Sequence, residues 1–143
     1  MNRRDLKATK FIVFWLFVFL FTGKANSQSY KFLFDSLAIQ YGKEEAAKMS
    51  HEFSVGFYKK RNYSTSLNFG LKEVDFLKEI DTISKVYSKA LYQIGFLHEI
   101  IGNYRKSIAF HENVIELNID PEYVARSYCK IGFCFNSLGD LNK

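Results

Sequence analysis

A chain of 143 residues with 48% hydrophobic composition has room for one modest domain and not two. Its formal net charge of +5 is unevenly placed. Residues 1–27 hold Arg3, Arg4, Lys7, Lys10 and Lys24 against Asp5 alone, which leaves 15 basic and 14 acidic residues beyond them. The remainder is nearly neutral, so its charge does not support nucleic-acid binding.

The first 27 residues read as a secretory signal peptide. Arg3 and Arg4 precede an unbroken apolar run over residues 11–21, and Ala25-Asn26-Ser27 supplies a small-x-small cleavage pattern. Eleven helical residues at ~1.5 Å each span about half of a ~30 Å hydrocarbon core. Cleavage is therefore expected after Ser27, with the mature chain exported to a periplasmic or secreted location. An uncleaved leader, or a chain that continues, would instead tie the protein to a membrane. Cys129 and Cys134 sit five residues apart on one expected helix, a spacing unsuited to a disulfide, and are expected to be small buried thiols.

Helical periodicity runs through residues 28–143, with one proline and no sustained strand-like alternation. The expected helices, in chain order, are 30–41, ended by Gly42; 43–60; 63–80, capped by Asn62; and a fourth from Asp81 or Thr82 to Ile101, stopped by Gly102. A fifth, capped by Asn103, covers 104–119. Asp120-Pro121 then starts a sixth, which closes at Gly139, because an N-cap acid and a proline at the first helical position make a strong start signal. Asp140 could cap a seventh. Connections of mostly one to three residues make successive helices antiparallel.

The sixth helix repeats the fourth. Ile94-Gly95-Phe96 is followed by Gly102-Asn103-Tyr104, and Ile131-Gly132-Phe133 by Gly139-Asp140-Leu141, after an interval of 37 residues. A period of this size signals one supersecondary unit stacked on itself. The pattern resembles the tetratricopeptide repeat. In the clear copy, about 88–121, Leu91, Ile94, Gly95, Gly102, Tyr104, Ile108 and Pro121 occupy family positions, and Ser107 and His111 depart from them. An incomplete copy, about 125–143, carries Tyr128, Ile131, Gly132 and Gly139. A degenerate copy, about 45–80, is suggested by Asn62-Tyr63 and Ser66; Ser54 takes the close-packing glycine position, and Gly70 interrupts the second helix. The fold expected is all-α: antiparallel helical hairpins stacked as a short tetratricopeptide-like α-solenoid, preceded by a signal-peptide helix. Gly95 and Gly132 are expected at helix crossings, and Tyr104 is expected to pack back across its hairpin.

The resemblance implies partner binding along a concave groove lined by the first helix of each repeat. Its residues here would be Lys89, Tyr92, Gln93, Phe96 and Glu99, then Arg126, Cys129, Lys130, Phe133 and Asn136. Lys48, His51, Glu52, Val55 and Tyr58 are their counterparts in the degenerate copy. Phe96 and Phe133 stand where some members use Asn to hold a partner's carboxylate, so apolar anchors with some acidic character are expected instead. No catalytic residue, metal site or cofactor is expected: His51, His98 and His111 each precede Glu but lack the second His of a zinc helix, and His98 and His111 could meet across a hairpin as a polar interior contact. The function implied is a non-enzymatic interaction scaffold for a protein or peptide. The alternative is the extracytoplasmic sensory region of a longer sensor kinase or transcription regulator with such repeats. Ile131, Phe133 and Phe135 on an open last helix also imply marginal stability or self-association.

Overall fold

The computed structural model describes residues 27–139; the leader up to residue 26 and the start of a seventh helix lie outside them, and the expected cleavage point after Ser27 falls at the first residue described. Six helices make up the described chain: α1 (Ser27–Tyr41), α2 (Lys43–Lys59), α3 (Tyr63–Lys78), α4 (Lys85–Ile100), α5 (Tyr104–Leu117) and α6 (Pro121–Ser137). It is all-α, with no strand among the described residues. Two compact units divide the chain, Met1–Ser36 and Leu37–Lys143. Within the second unit each helix packs against the next in sequence from α2 to α6, and α6 also touches α4.

Local chemistry sets the helix ends. Gly42, Gly102 and Gly139 adopt φ of 81°, 78° and 76°, the left-handed conformation in which a Cβ is unfavourable, and so break the chain between helices. Asn118 does the same for α5 at φ 47°. Asp120 accepts from the Glu122 amide at 3.1 Å, with Pro121 opening α6. Asn62 accepts from the Thr65 amide at 3.3 Å. Asn103, however, makes no side-chain cap. The fourth helix starts later than Asp81 because that carboxylate accepts from the Ile83 amide at 2.8 Å, closing a turn, and Ser84 becomes the cap instead, accepting from the Tyr87 amide at 3.2 Å.

The core runs through Leu67, Val74, Ala90, Leu91, Ile94, Leu97 and Val114. Between α2 and α3 the helices come close through two serines. Ser54 Oγ donates to the Ser66 carbonyl at 2.9 Å, and Ser66 Oγ donates to the Ser54 carbonyl at 2.8 Å. Ser66 therefore satisfies a backbone group as well as being small. Gly70, far from a defect, is another close approach: a Cβ there would lie 2.6 Å from Ile94 Cδ1 and 3.3 Å from Ser54 Oγ.

The two motif glycines part company. A Cβ on Gly95 would lie 2.8 Å from His111 Nε2 and 2.9 Å from Cε1, so α4 and α5 cross there as expected. Gly132 is exposed and meets nothing within 4 Å. Its expected crossing is absent because no described helix covers that side of α6. Tyr128, the counterpart of buried Leu91, is accordingly 61% exposed, and Ile131 and Phe135 are half-buried. Tyr104 reaches forward to Phe133 on α6 (ring centroids 6.5 Å). The thiols also differ. Cys134 is buried and donates to Ser107 Oγ at 3.4 Å, whereas Cys129 is exposed, contrary to expectation.

Candidate partner-binding face

Helices α2, α4 and α6 carry the residues singled out by the repeat pattern; rings of α2 and α4 meet, and Lys130 joins them to a ring of α6. Tyr58 of α2 lies 6.1 Å from Phe96 of α4, ring to ring. Lys130 of α6 places its ammonium 4.8 Å from the centre of Phe96 and 6.0 Å from that of Phe133. Phe133 is 50% exposed and Tyr58 39%, enough ring surface for contact with another molecule. Phe96 between them is half-buried. An ammonium over an aromatic face is held by the ring quadrupole, so Lys130 bridges the rings.

Lys130 also donates to Glu99 Oε1 at 2.9 Å. The Glu99 side chain is only 11% exposed, and its Oε2 has no hydrogen-bond partner. Removing the ammonium would strand a largely buried carboxylate. Lys130→Met is therefore expected to lower stability by about 1–2 kcal/mol, and Glu99→Gln in the same chain to recover part of it; urea midpoints of the three proteins measure both.

The other expected groove residues divide. Lys89 and Asn136 are exposed, and Gln93 is half-buried. Arg126 is exposed but pairs with Glu122 on its own helix, as Lys48 does with Glu44. Glu52 is exposed and Val55 half-buried. Tyr92 turns inward, its ring 5.1 Å from both His111 and Tyr123. It is part of the packing among α4, α5 and α6.

The histidines show three environments. His51 Nδ1 meets both oxygens of Glu73, at 3.0 and 3.1 Å. Glu73 is buried, and its hydrogen bond raises the His51 pKa against the opposing effects of desolvation and Lys89. One hairpin later the same two positions hold Tyr92 and Val114, so an ion pair occupies a slot that is otherwise apolar. That pair was not foreseen, because Glu73 stands among Lys72 and Asp75 and nothing in the sequence marks it as the buried one. His98 stacks on Phe110 (5.5 Å, 22°), and burial lowers its pKa. His111 is fully buried, with Nδ1 3.2 Å from Ser127 Oγ and Nε2 lacking a partner. Burial pushes its pKa down to about 4. His98 and His111 thus find different ring partners across the α4–α5 hairpin.

Among the described residues no group of three or more His, Cys, Asp or Glu is placed to hold a metal ion. No helix of the described residues is long and apolar enough to cross a membrane.

These features define an all-helical, repeat-like domain with an aromatic row across its first helices. No family model matches the chain, and no curated protein matches it. Among solved structures, BtubC (BKLC) from P. vanneervenii superposes with a TM-score of 0.65 at 14% sequence identity, over 80% of this chain and 49% of that one. The likeness supports the helical fold, and this chain spans about half the length of that protein.

Proposed function

We propose that this is an exported, non-enzymatic tetratricopeptide-like scaffold that binds a protein or peptide along α2, α4 and α6. The carrying observation is the row Tyr58–Phe96–Lys130–Phe133, which links three helices distant in sequence and leaves its two end rings exposed. Interface energy concentrates in a few aromatic anchors surrounded by polar residues. An apolar side chain set between Tyr58 and Phe133, with a carboxylate near Lys89, would use this surface best. Nucleic acid is a poor partner for residues 28–143, which are nearly neutral.

Affinity capture from the extracytoplasmic fraction tests the reading. A partner retained by the wild type is expected to be lost, by tenfold or more (about 1.4 kcal/mol for each factor of ten), with Tyr58→Ala, Phe96→Ala or Phe133→Ala. Retention by all three variants would refute it.

A second reading is favoured by the outer stripe of α6. Ala125, Tyr128, Cys129, Gly132, Phe133 and Asn136 are all exposed, whereas their counterparts Ser88, Leu91, Tyr92, Gly95, Phe96 and Glu99 on α4 are buried or half-buried. Further helices packed on this stripe would make the domain the sensory region of a longer regulator. A reading frame continuing beyond Lys143 into a membrane span supports that version, and a stop codon there removes it.

A further inference from the structure

Helix α6 is lightly anchored. Among the described residues it buries only Ser127 and Cys134, whereas its counterpart α4 buries seven. Both anchors are polar and both rest on α5: Ser127 Oγ lies 3.2 Å from His111 Nδ1, and Cys134 donates to Ser107 Oγ at 3.4 Å. Val124, Ile131 and Phe135 are only half-buried, and Lys130 adds a tie to Glu99 on α4. An element with so little buried apolar surface opens at a free energy well below that of the whole domain.

His111 stands at the centre of this anchorage. Its Nδ1 is taken by Ser127, and its Nε2 faces the Gly95 backbone with no partner among the described residues. A Cβ on Gly95 would lie 2.8 Å from Nε2, so the ring has no slack toward α4. Tyr92 of α4 packs on the ring. Lys130 of α6 acts on it with a charge of the same sign as a protonated ring, and that ammonium already holds the Glu99 carboxylate of α4. A proton added at Nε2 would therefore make a buried N–H without an acceptor, an expensive arrangement that only water could relieve. Water enters most cheaply beside α6, since α4 is fixed in the core by Ala90, Leu91, Ile94 and Leu97.

We propose that α6 is an acid-released arm, freed from α5 when His111 takes up a proton, while α2, α3 and α4 stay packed together. Release carries Lys130 and Phe133 away from Phe96, so acid would also discharge a partner bound along the aromatic row. That consequence rests on the function proposed above; the release itself does not.

The test uses the full chain with Cys129→Ser, which leaves the buried Cys134 as its single thiol. The rate of Cys134 with 4,4′-dithiodipyridine, divided by that of N-acetylcysteine at the same pH, reads the opening of α6. A rise of roughly tenfold or more is expected from pH 7 to pH 5, with circular dichroism unchanged because the open form stays a minority. Adding His111→Phe should remove most of that rise. If this variant does not fold, segment-resolved hydrogen exchange of the wild type, corrected for intrinsic rates, decides: residues 121–139 should lose protection at pH 5 while residues 43–78 keep theirs. An unchanged thiol ratio, an equal rise in His111→Phe, or loss of protection in both segments together would overturn the proposal.

Discussion

Gly95→Ala and Gly132→Ala are expected to change stability in opposite directions. Alanine is favoured over glycine inside a helix by about 1 kcal/mol, and at position 132 nothing stands within 4 Å to oppose that gain. Gly132→Ala should therefore stabilise the protein by roughly 0.5–1 kcal/mol. At position 95 the same methyl would press on three ring atoms of His111, at 2.8, 2.9 and 3.1 Å. That ring cannot step aside easily: it is fully buried, packed edge-on against Tyr92 and hydrogen-bonded to Ser127. Overpacking of this kind costs about 1–3 kcal/mol and exceeds the propensity gain only if the core is rigid. A net loss of about 1–2 kcal/mol is expected, a fall in Tm of roughly 5–10 °C for a domain of this size. Adding His111→Ala should leave Gly95→Ala without its penalty, so a double-mutant cycle would show a large coupling between the two sites.

His111 should also make the protein acid-sensitive. Its folded pKa of about 4 lies below the ordinary 6.5, so between these values the unfolded chain binds a proton that the folded chain excludes. Stability is then full above pH 6.5 and falls as pH drops toward 4, by about 3 kcal/mol over the whole interval. His98, also lowered by burial, acts in the same direction. His51 acts oppositely. Its pKa is raised by Glu73, so the pair's contribution is complete below pH 6.5 and declines as pH rises through the folded value. Urea denaturation across this range should give His111→Phe a visibly flatter acid limb than wild type, with the residual slope due to His98. An unchanged limb would mean that the buried ring titrates normally.

What could be read from the residues was what the chain decides locally. Asp120-Pro121 starts a helix through its own cap and ring, and Gly102 and Gly139 end helices through backbone conformation, so neither depends on distant packing. The 37-residue recurrence likewise placed Gly95 at a crossing. Tertiary choices were less legible. The residues around Gly132 match those around Gly95, but a crossing needs a second helix, and no described helix covers that side of α6. Tyr92 and Phe96 looked like equivalent groove positions four residues apart. Space above Tyr92 is filled by His111 and Tyr123, which turns it into core, while Phe96 is left beneath Lys130. Asp81 could cap a helix or close a turn, and the nearby Ser84 made the second choice possible. The His51–Glu73 pair required knowing that α2 and α3 bring those positions together, which spacing alone does not state.

The most direct measurement is site-specific photocrosslinking to the partner recovered from the extracytoplasmic fraction. A photoreactive phenylalanine would be placed in turn at Tyr58, Phe133, Arg105 and Glu112; the last two are exposed residues of α5, outside the aromatic row. Adducts from positions 58 and 133 with none from 105 and 112 are the expected result. Adducts confined to 105 and 112 would place the partner on another face and contradict the assignment of α2, α4 and α6 as the binding helices.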